Sequence, residues 1–534
     1  MLGDQGVVAD VFAETVRKYK NNRAFTCLGH TITFGELDEL SARFAAFLQT
    51  QTNLKPGDRI AVQLPNILQY PVAVFGALRA GLVIVNTNPL YTAREVSHQL
   101  KDSGSKALVV LANVASAAAS VIKETDVEQV IVTEVADLHK PMQRFLINNV
   151  VKYVQRAVPS YSFPNQISFL NTLKVSGSHF TPVKRLPSDI AVLQYTGGTT
   201  GVAKGAMLLN SNLVANKEQL SEKMKEVMKE GDVTYVAPLP LYHIYAFTGH
   251  CMSIFGNGNH NILIPNPRDL KSFVKALKNE KIYGFVGLNT LFNALCHNEE
   301  FKKLDFSNLR HTASGGMALT SDTSKLWRKV TGNVPNEGYG LTETSPVVSA
   351  NPPNEIQIGT VGTPVLETEL KVVDENGEVL PAGEVGELLV RGPQVMKGYW
   401  NRPEATAEVI DSEGWFKTGD MALIQSDGYL QIVDRKKDMI LVSGFNVYPN
   451  EVEDTICEHP GVLEAGVIGV PDERSGEVVK IFIVKMDPNL TAQDVQAYAK
   501  KNMAAYKVPK IIEFVDDLPK SAVGKILRRE LKKL

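Results

Sequence analysis

The stretch Tyr195-Thr196-Gly197-Gly198-Thr199-Thr200-Gly201-Val202-Ala203-Lys204-Gly205 is the most informative run in this chain. It follows an apolar, strand-like segment, Ala191–Gln194. Three closely spaced glycines let backbone N–H groups close on an anion. Thr196, Thr199 and Thr200 add hydroxyl donors, and Lys204 adds a positive charge. The composition is that of a phosphate grip. A Walker A loop is excluded, because Lys204 is followed by Gly205 rather than Ser or Thr. A dinucleotide fingerprint is excluded too. The nearest candidate, Gly256-Asn257-Gly258-Asn259-His260-Asn261, lacks its last glycine.

Outward from this loop, short β-branched runs recur: Ile60–Leu64, Ala107–Leu111, Gln129–Thr133, Ala191–Tyr195 and Asn261–Pro265. Helical stretches such as Phe34–Gln51 and Leu213–Glu230 lie between them. Alternation of this kind predicts βαβ units and parallel sheet. From Thr368 the texture changes to short strands with Gly-containing turns: Glu369–Asp374, Glu387–Arg391 and Tyr429–Asp434. The expected fold is α/β with an antiparallel, barrel-like subdomain over 367–433. The charged run Asp434-Arg435-Lys436-Lys437-Asp438 then precedes about 100 residues with their own α+β pattern. This predicts an N-terminal domain over 1–433, a hinge at 434–438 and a small C-terminal domain over 439–534.

With 534 residues, 44% of them hydrophobic, the chain can bury a large core. Lys and Arg number 56 against 58 Asp and Glu, a net charge of −2 that argues against a nucleic-acid partner. Cys27, Cys251, Cys296 and Cys457 lie far apart, which fits a reducing compartment rather than a disulfide scaffold. The N-terminus has acids early and no apolar core of signal-peptide length. The apolar stretches Tyr70–Val85 and Ala107–Ile122 are interrupted by Arg79 and Asn113, and each falls short of the roughly 20 residues a membrane span needs. A cytoplasmic protein is expected.

Further motifs follow the glycine-rich loop in order. They are Gly338-Tyr339-Gly340-Leu341-Thr342-Glu343-Thr344, Trp415-Phe416-Lys417-Thr418-Gly419-Asp420, the run Asp434–Asp438, Ser443-Gly444-Phe445 leading to Glu453, and Pro519–Lys525. Together they resemble the adenylate-forming enzymes, which include acyl-CoA synthetases, luciferases and adenylation domains. The resemblance covers nearly the whole chain. Leu193–Met207 and Pro238–Phe247 look most like bacterial long-chain fatty-acid–CoA ligases.

That resemblance implies a reaction in two steps. A carboxylate attacks the α-phosphate of ATP, and a thiol, CoA, then displaces AMP. The protein supplies positioning and charge neutralisation rather than a nucleophile, and no G-x-S-x-G elbow is present. By resemblance, Thr196, Gly197, Gly198, Thr199, Thr200 and Lys204 hold the β- and γ-phosphates. Glu343, with Thr196, holds Mg²⁺, and Thr342 contacts the α-phosphate. Asp420 accepts the ribose hydroxyls, and Arg435 adds a ribose contact. Gly315, Gly316, Gly338 and Tyr339 form the adenine slot. Lys525 balances charge during adenylation. His243 lies near the carboxylate, with Phe247 at the gate of an acyl tunnel. Ser443, Gly444 and Phe445 contact CoA after the small domain rotates about Asp434 and Lys437. The expected substrates are a long-chain fatty acid, ATP and CoA. Medium-chain or aryl acids, or a carrier protein as acceptor, remain open alternatives, and a homodimer is compatible with the reading. Asn210 stands where relatives commonly have His.

One charge pattern is independent of family. Residues 138–188 contain no Asp or Glu but seven basic residues: Lys140, Arg144, Lys152, Arg156, Lys174, Lys184 and Arg185. Leu146, Val150, Tyr153, Val154 and Ala157 fall on one helical face, with Arg144, Asn148, Lys152, Gln155 and Arg156 largely away from it. A basic amphipathic helix over 140–157 suits an anionic membrane surface, with peripheral attachment there. The alternative is a helix docking its apolar face on the core.

Overall fold

The computed structural model describes residues 2, 6–196, 203–472, 474–521 and 524–534. Two large sheets build the N-terminal domain. The first has seven strands in the spatial order Gln166–Ser168, Gln129–Thr133, Ser105–Leu111, Arg59–Gln63, Val83–Asn86, Ile190–Thr196 and Lys204–Leu209. All neighbours are parallel except the last pair. The second has nine strands, whose middle comprises Asn336–Gly340, His311–Ser314, Ile282–Gly287, Thr234–Ala237, His260–Leu263 and Arg23–Cys27, all parallel. Helices such as Phe34–Thr50 and Gln69–Arg79 cover these sheets and bury Phe44, Phe47, Tyr70 and Phe75. Parallel strands covered on both faces explain why their sequences read as continuous apolar runs rather than as alternation.

The barrel-like region resolves as a four-stranded antiparallel meander: Glu369–Val373, Gly386–Arg391, Phe416–Ile424 and Leu430–Arg435. The small C-terminal domain has a five-stranded sheet centred on Val462–Asp472 and Gly476–Lys485, with helices Pro449–Cys457 and Ala492–Asn502. Its own core includes Val447, Val452, Val467, Ile481 and Val495.

Two expectations shift. The helix expected over Leu213–Glu230 runs Asn210–Lys223. It starts early because the Asn210 side chain is fixed: its Oδ1 accepts from the Val8 N–H (3.1 Å), and its Nδ2 donates to Leu186 O (3.1 Å). Asn210 is therefore a helix-end anchor outside the phosphate region.

The second shift is larger. A helix spans Pro141–Asn149 and continues as a wider turn over Val150–Val154. Its orientation is the reverse of core docking. Met142 (76% exposed), Phe145, Leu146, Val150, Tyr153 and Val154 all face outward. Asn148, expected outside, is the buried residue. Its Oδ1 accepts from the Ala136 N–H (2.9 Å), and its amide donates to Asp137 (3.3 Å). Those bonds satisfy a polar side chain and let it hold the inner face. Among the described residues no helix is long and apolar enough to cross a membrane.

Candidate active site

A cavity of about 2370 Å³ lies between the two domains. Its walls are assembled from chain segments far apart in sequence, and each sheet delivers one part.

The strands Ile190–Thr196 and Lys204–Leu209 form a hairpin whose register sets Thr196 opposite Lys204. Both residues line the cavity at the mouth of the glycine-rich loop. Gly197, Gly198, Thr199 and Thr200 lie outside the described residues. The segment 396–400 runs beside the second of these strands, with Met207 N donating to Gly398 O (2.9 Å) and Trp400 N to Gly205 O (2.8 Å). It thereby inserts Tyr399 into the site. The Tyr399 hydroxyl donates to Glu343 Oε1 (2.8 Å), and the Lys204 ammonium lies 5.0 Å from the Tyr399 ring centroid. Tyr399 thus links the loop lysine to the acidic residue. The sequence reading missed it; its one local signal is an aromatic pair, Tyr399-Trp400, after Gly398.

The segment Gly338–Thr344 follows the strand Asn336–Gly340 into a short turn at Thr342–Thr344. Gly340 is required there, because a Cβ would stand 1.9 Å from Pro346 O. A Cβ on Gly315 would stand 3.2 Å from the Tyr245 ring, a tight contact but not a clash of that kind. Gly315, Gly316, Gly338, Tyr339, Thr342 and Glu343 all line the cavity.

Asp420 is 2% exposed and held from two sheets. Arg435 is its cross-strand partner in the meander and approaches Oδ1 at 2.7 Å. The Tyr339 hydroxyl donates to Oδ2. Burial, then the adjoining Asp420 charge, pushes the Tyr339 hydroxyl far above its ordinary range, so it stays a donor. The carboxylate is pre-oriented toward the cavity with both oxygens bonded.

Lys525 reaches the cavity from the small domain. It is solvent-accessible there, yet the enclosing protein, then Arg435 nearby, lowers its ammonium to about 8. His243 Nδ1 accepts from the Tyr245 N–H (3.3 Å), which puts the ring proton on Nε2 when the ring is neutral. Burial lowers His243 to about 4, so the ring is neutral near pH 7. Phe247, expected at a gate, is fully buried and does not line the cavity. Tyr245 and Gly249 of the same segment line it instead. Four-residue spacing shares one helical face, and 247 falls off the face of 245 and 249.

Tyr245 Oη, Ser314 Oγ and both His311 ring nitrogens are buried, line the cavity and lack hydrogen-bond partners among the described residues. Such orphans fit a polar ligand. Beyond them the lining turns apolar. Leu220, Met224 and Met228 recur every four residues and line it with Ile254, whose segment packs on the helix Asn210–Lys223. A Cβ on Gly249 would meet nothing within 4 Å, so this part of the cavity is open. Glu337 also lines the cavity, its carboxyl raised to about 8 by burial, with the Leu319 N–H donating to Oε1 (2.9 Å).

Ser443, Gly444 and Phe445 are brought together elsewhere. Ser443 and Gly444, at φ 51° and 83°, make a tight turn between Ile440–Val442 and Phe445–Val447. The turn is exposed and does not line the cavity; Phe445 stacks on Tyr506 (4.9 Å). At the expected hinge, Lys437 is exposed and Asp434 is buried.

The sequence matches the AMP-binding enzyme family over residues 12–400 and the AMP-binding enzyme C-terminal domain over 451–525. The chain belongs to the AMP-binding, adenylate-forming enzyme family. It is 50% identical to a long-chain-fatty-acid–CoA ligase of Escherichia coli O6:H1, over 98% of this chain and 94% of that protein. It is 37% identical to one from Bacillus subtilis, over 98% and 93%. A feruloyl-CoA synthase of an Amycolatopsis species is 32% identical over 95% and 94%. Among solved structures, ATP-bound MatB from Rhodopseudomonas palustris superposes with a TM-score of 0.84 at 28% identity, covering 100% and 99% of the two chains. The apo form of that protein gives 0.71.

Proposed function

We propose that the enzyme converts a long-chain fatty acid, ATP and CoA to acyl-CoA, AMP and pyrophosphate. A carboxylate oxygen attacks the α-phosphorus, and the bond to pyrophosphate breaks. The CoA sulfur then attacks the acyl carbonyl, and the bond to AMP breaks. The observation that carries this reading is convergence: Lys525 from the small domain meets Lys204, Thr342, Glu343 and Asp420 from the large one in a cavity that also has an apolar arm.

In this reading Lys525 and Lys204 offset phosphate charge where it builds up. Gly197, Gly198, Thr199 and Thr200 complete the phosphate grip. Asp420 receives the ribose hydroxyls, with Arg435 and Tyr339 fixing its direction. His243 presents Nε2–H to the substrate carboxylate. Mg²⁺ fits the donor set present: Tyr399 occupies Glu343 Oε1, Oε2 has no hydrogen bond among the described residues, and the Thr196 hydroxyl would offer a further oxygen. When bound, the ion supplies charge neutralisation on the phosphates. The small domain rotates about 434–438, between a large domain ending near 433 and a small one starting near 439. The exchange brings Ser443, Gly444 and Phe445 in for the CoA step.

Length selectivity rests on the apolar arm. An acid panel from butyrate to stearate, with coumarate alongside, tests it. The longest acids are expected to give the highest kcat/KM. A medium-chain or aromatic optimum would overturn the long-chain reading. Gly249→Met, which fills the arm, is expected to move the optimum toward short acids while butyrate turnover persists.

We further propose that the 140–157 face docks on an anionic bilayer, where fatty acid partitions. The support is six outward-facing apolar residues beside Lys140, Arg144, Lys152 and Arg156 in an acid-free stretch. Sedimentation with phosphatidylglycerol vesicles is expected to show binding that falls with salt and with Phe145→Ser. Absence of binding at low salt would overturn the proposal. So would concentration-dependent dimerisation abolished by Phe145→Ser, which would assign the face to a second copy.

A further inference from the structure

One buried guanidinium near the cavity has no part in the chemistry above. Arg528 follows Lys525 by three residues, and its side chain is 12% exposed. Nη1 donates to Asp434 Oδ1 (3.0 Å) and approaches Asp438 Oδ2 (3.5 Å). Nη2 donates to Asn450 Oδ1 (2.5 Å) and Glu453 Oε2 (2.8 Å), and Nε to Glu453 Oε1 (3.2 Å). Asn450 and Glu453 lie on the small-domain helix Pro449–Cys457. Asp434 lies on the last strand of the large domain's meander, Leu430–Arg435. Its second oxygen accepts from the Asn450 N–H (2.6 Å). The small domain therefore grips both oxygens of a carboxylate at the first residue of the hinge, where the large domain's meander strand ends.

Successive residues on a strand point to opposite faces. Arg435 turns to Asp420 of the nucleotide site, and Asp434 turns to Arg528. A single strand end thus joins the nucleotide site to the small domain. Lys525 is close to this anchor in space as well as in sequence. It sits on a small hairpin, with Leu527 N donating to Pro519 O (2.8 Å) and Ser521 N to Lys525 O (2.8 Å). The hairpin abuts the large domain, where a Cβ on Gly524 would stand 2.9 Å from Thr290 Oγ1.

We propose that Arg528 is a positioning residue that locks the small domain, through Asp434, in the arrangement that presents Lys525 to the nucleotide. The proposal rests on the two-step reading above. A planar guanidinium with several fixed donors sets direction as well as distance. Without it, Asp434, Asp438 and Glu453 would face one another unpaired in a protected site, which is strongly unfavourable. Burial already pushes Glu453 up to about 7, a sign of how closely this site is enclosed.

The test measures two half-reactions in the full chain: fatty-acid-dependent ATP–pyrophosphate exchange, and acyl-CoA formation from supplied acyl-adenylate. Arg528→Gln and Asp434→Ala are each expected to cut exchange about tenfold, within the usual range of a conformational coupling. Each should leave the second half-reaction within about twofold, a split that a merely structural role would not produce. Trypsin should cut faster at Lys436 and Lys437 in both. The double variant should lose no more than a single one, because both remove the same link. Equal loss of both half-reactions, unchanged exchange, or additive losses would overturn the lock. Asp434→Ala leaves Arg528 paired with Glu453, so it remains decisive if Arg528→Gln unfolds the small domain. Lys525→Ala separates the two ideas. If Lys525→Ala retains exchange, the adenylation reading fails. If it loses exchange while Arg528→Gln keeps it, only the lock fails.

Discussion

The C-terminal tail and the acid-free stretch read alike in sequence, both rich in Lys and Arg, and the structure gives them opposite fates. In the tail, Lys520 pairs with Glu464 (2.6 Å), Arg528 with Asp434 and Glu453, and Lys533 with Glu530 (2.7 Å). Lys525 is different: it has no ion pair among the described residues and faces the cavity. In the acid-free stretch, Lys140, Arg144, Lys152 and Arg156 have no ion pair among the described residues, and apolar side chains stand exposed beside them. Net charge therefore says little by itself. The paired cations of the tail hold the fold, whereas Lys525 is turned to the cavity and Lys140, Arg144, Lys152 and Arg156 are left for the bilayer contact proposed above.

The comparison predicts a graded series. Lys525→Ala should lower overall acyl-CoA formation the most, by about 10²–10³-fold, the scale of removing one charge stabiliser from an active site. A loss below about tenfold would put Lys525 with the structural cations. Next is the pH profile. Lys525 acts as an ammonium, and its folded-state value is lowered from 10.5 to about 8. The charged form is thus present below about pH 8 and lost above it. In the free enzyme, kcat/KM for ATP should fall as pH rises through about 8; a flat profile to pH 10 would contradict the environment described. Replacing Lys140, Arg144, Lys152 and Arg156 together by Gln should leave turnover of dissolved short acids within about twofold, while weakening vesicle binding by about 1 kcal/mol per charge. The smallest effect belongs to Lys533→Gln. Its pair is surface-exposed, so the melting temperature should be unchanged.

Much of the site was legible because its residues sit in short contiguous motifs. Asp420 and Arg435 stand in separate motifs, and antiparallel pairing makes them cross-strand neighbours. The alternation of β-branched runs with helices likewise foretells parallel sheet, though not its division into two sheets with antiparallel edges. What was not legible depends on long-range contacts. Helical periodicity says that Leu146, Val150 and Tyr153 share a face, but not that Asn148 finds Asp137 and turns that face outward. Tyr399 acquires its role from a strand edge formed by residues near 205, and Glu343 is 56 positions away. Phe247 is placed at a gate by family resemblance alone, and among these residues Tyr245 and Gly249 line the cavity while Phe247 is buried. Arg528 is one basic residue among several in the tail, with Lys520, Lys525, Arg529, Lys532 and Lys533, and its partners lie 75 to 94 positions upstream.

The central claim is that Lys525, delivered by the small domain, serves the first half-reaction and not the second. It is tested most directly by assaying Lys525→Ala for fatty-acid-dependent ATP–pyrophosphate exchange and for acyl-CoA formation from supplied acyl-adenylate. The account predicts near-complete loss of exchange with the second activity retained. Equal loss of both would contradict it.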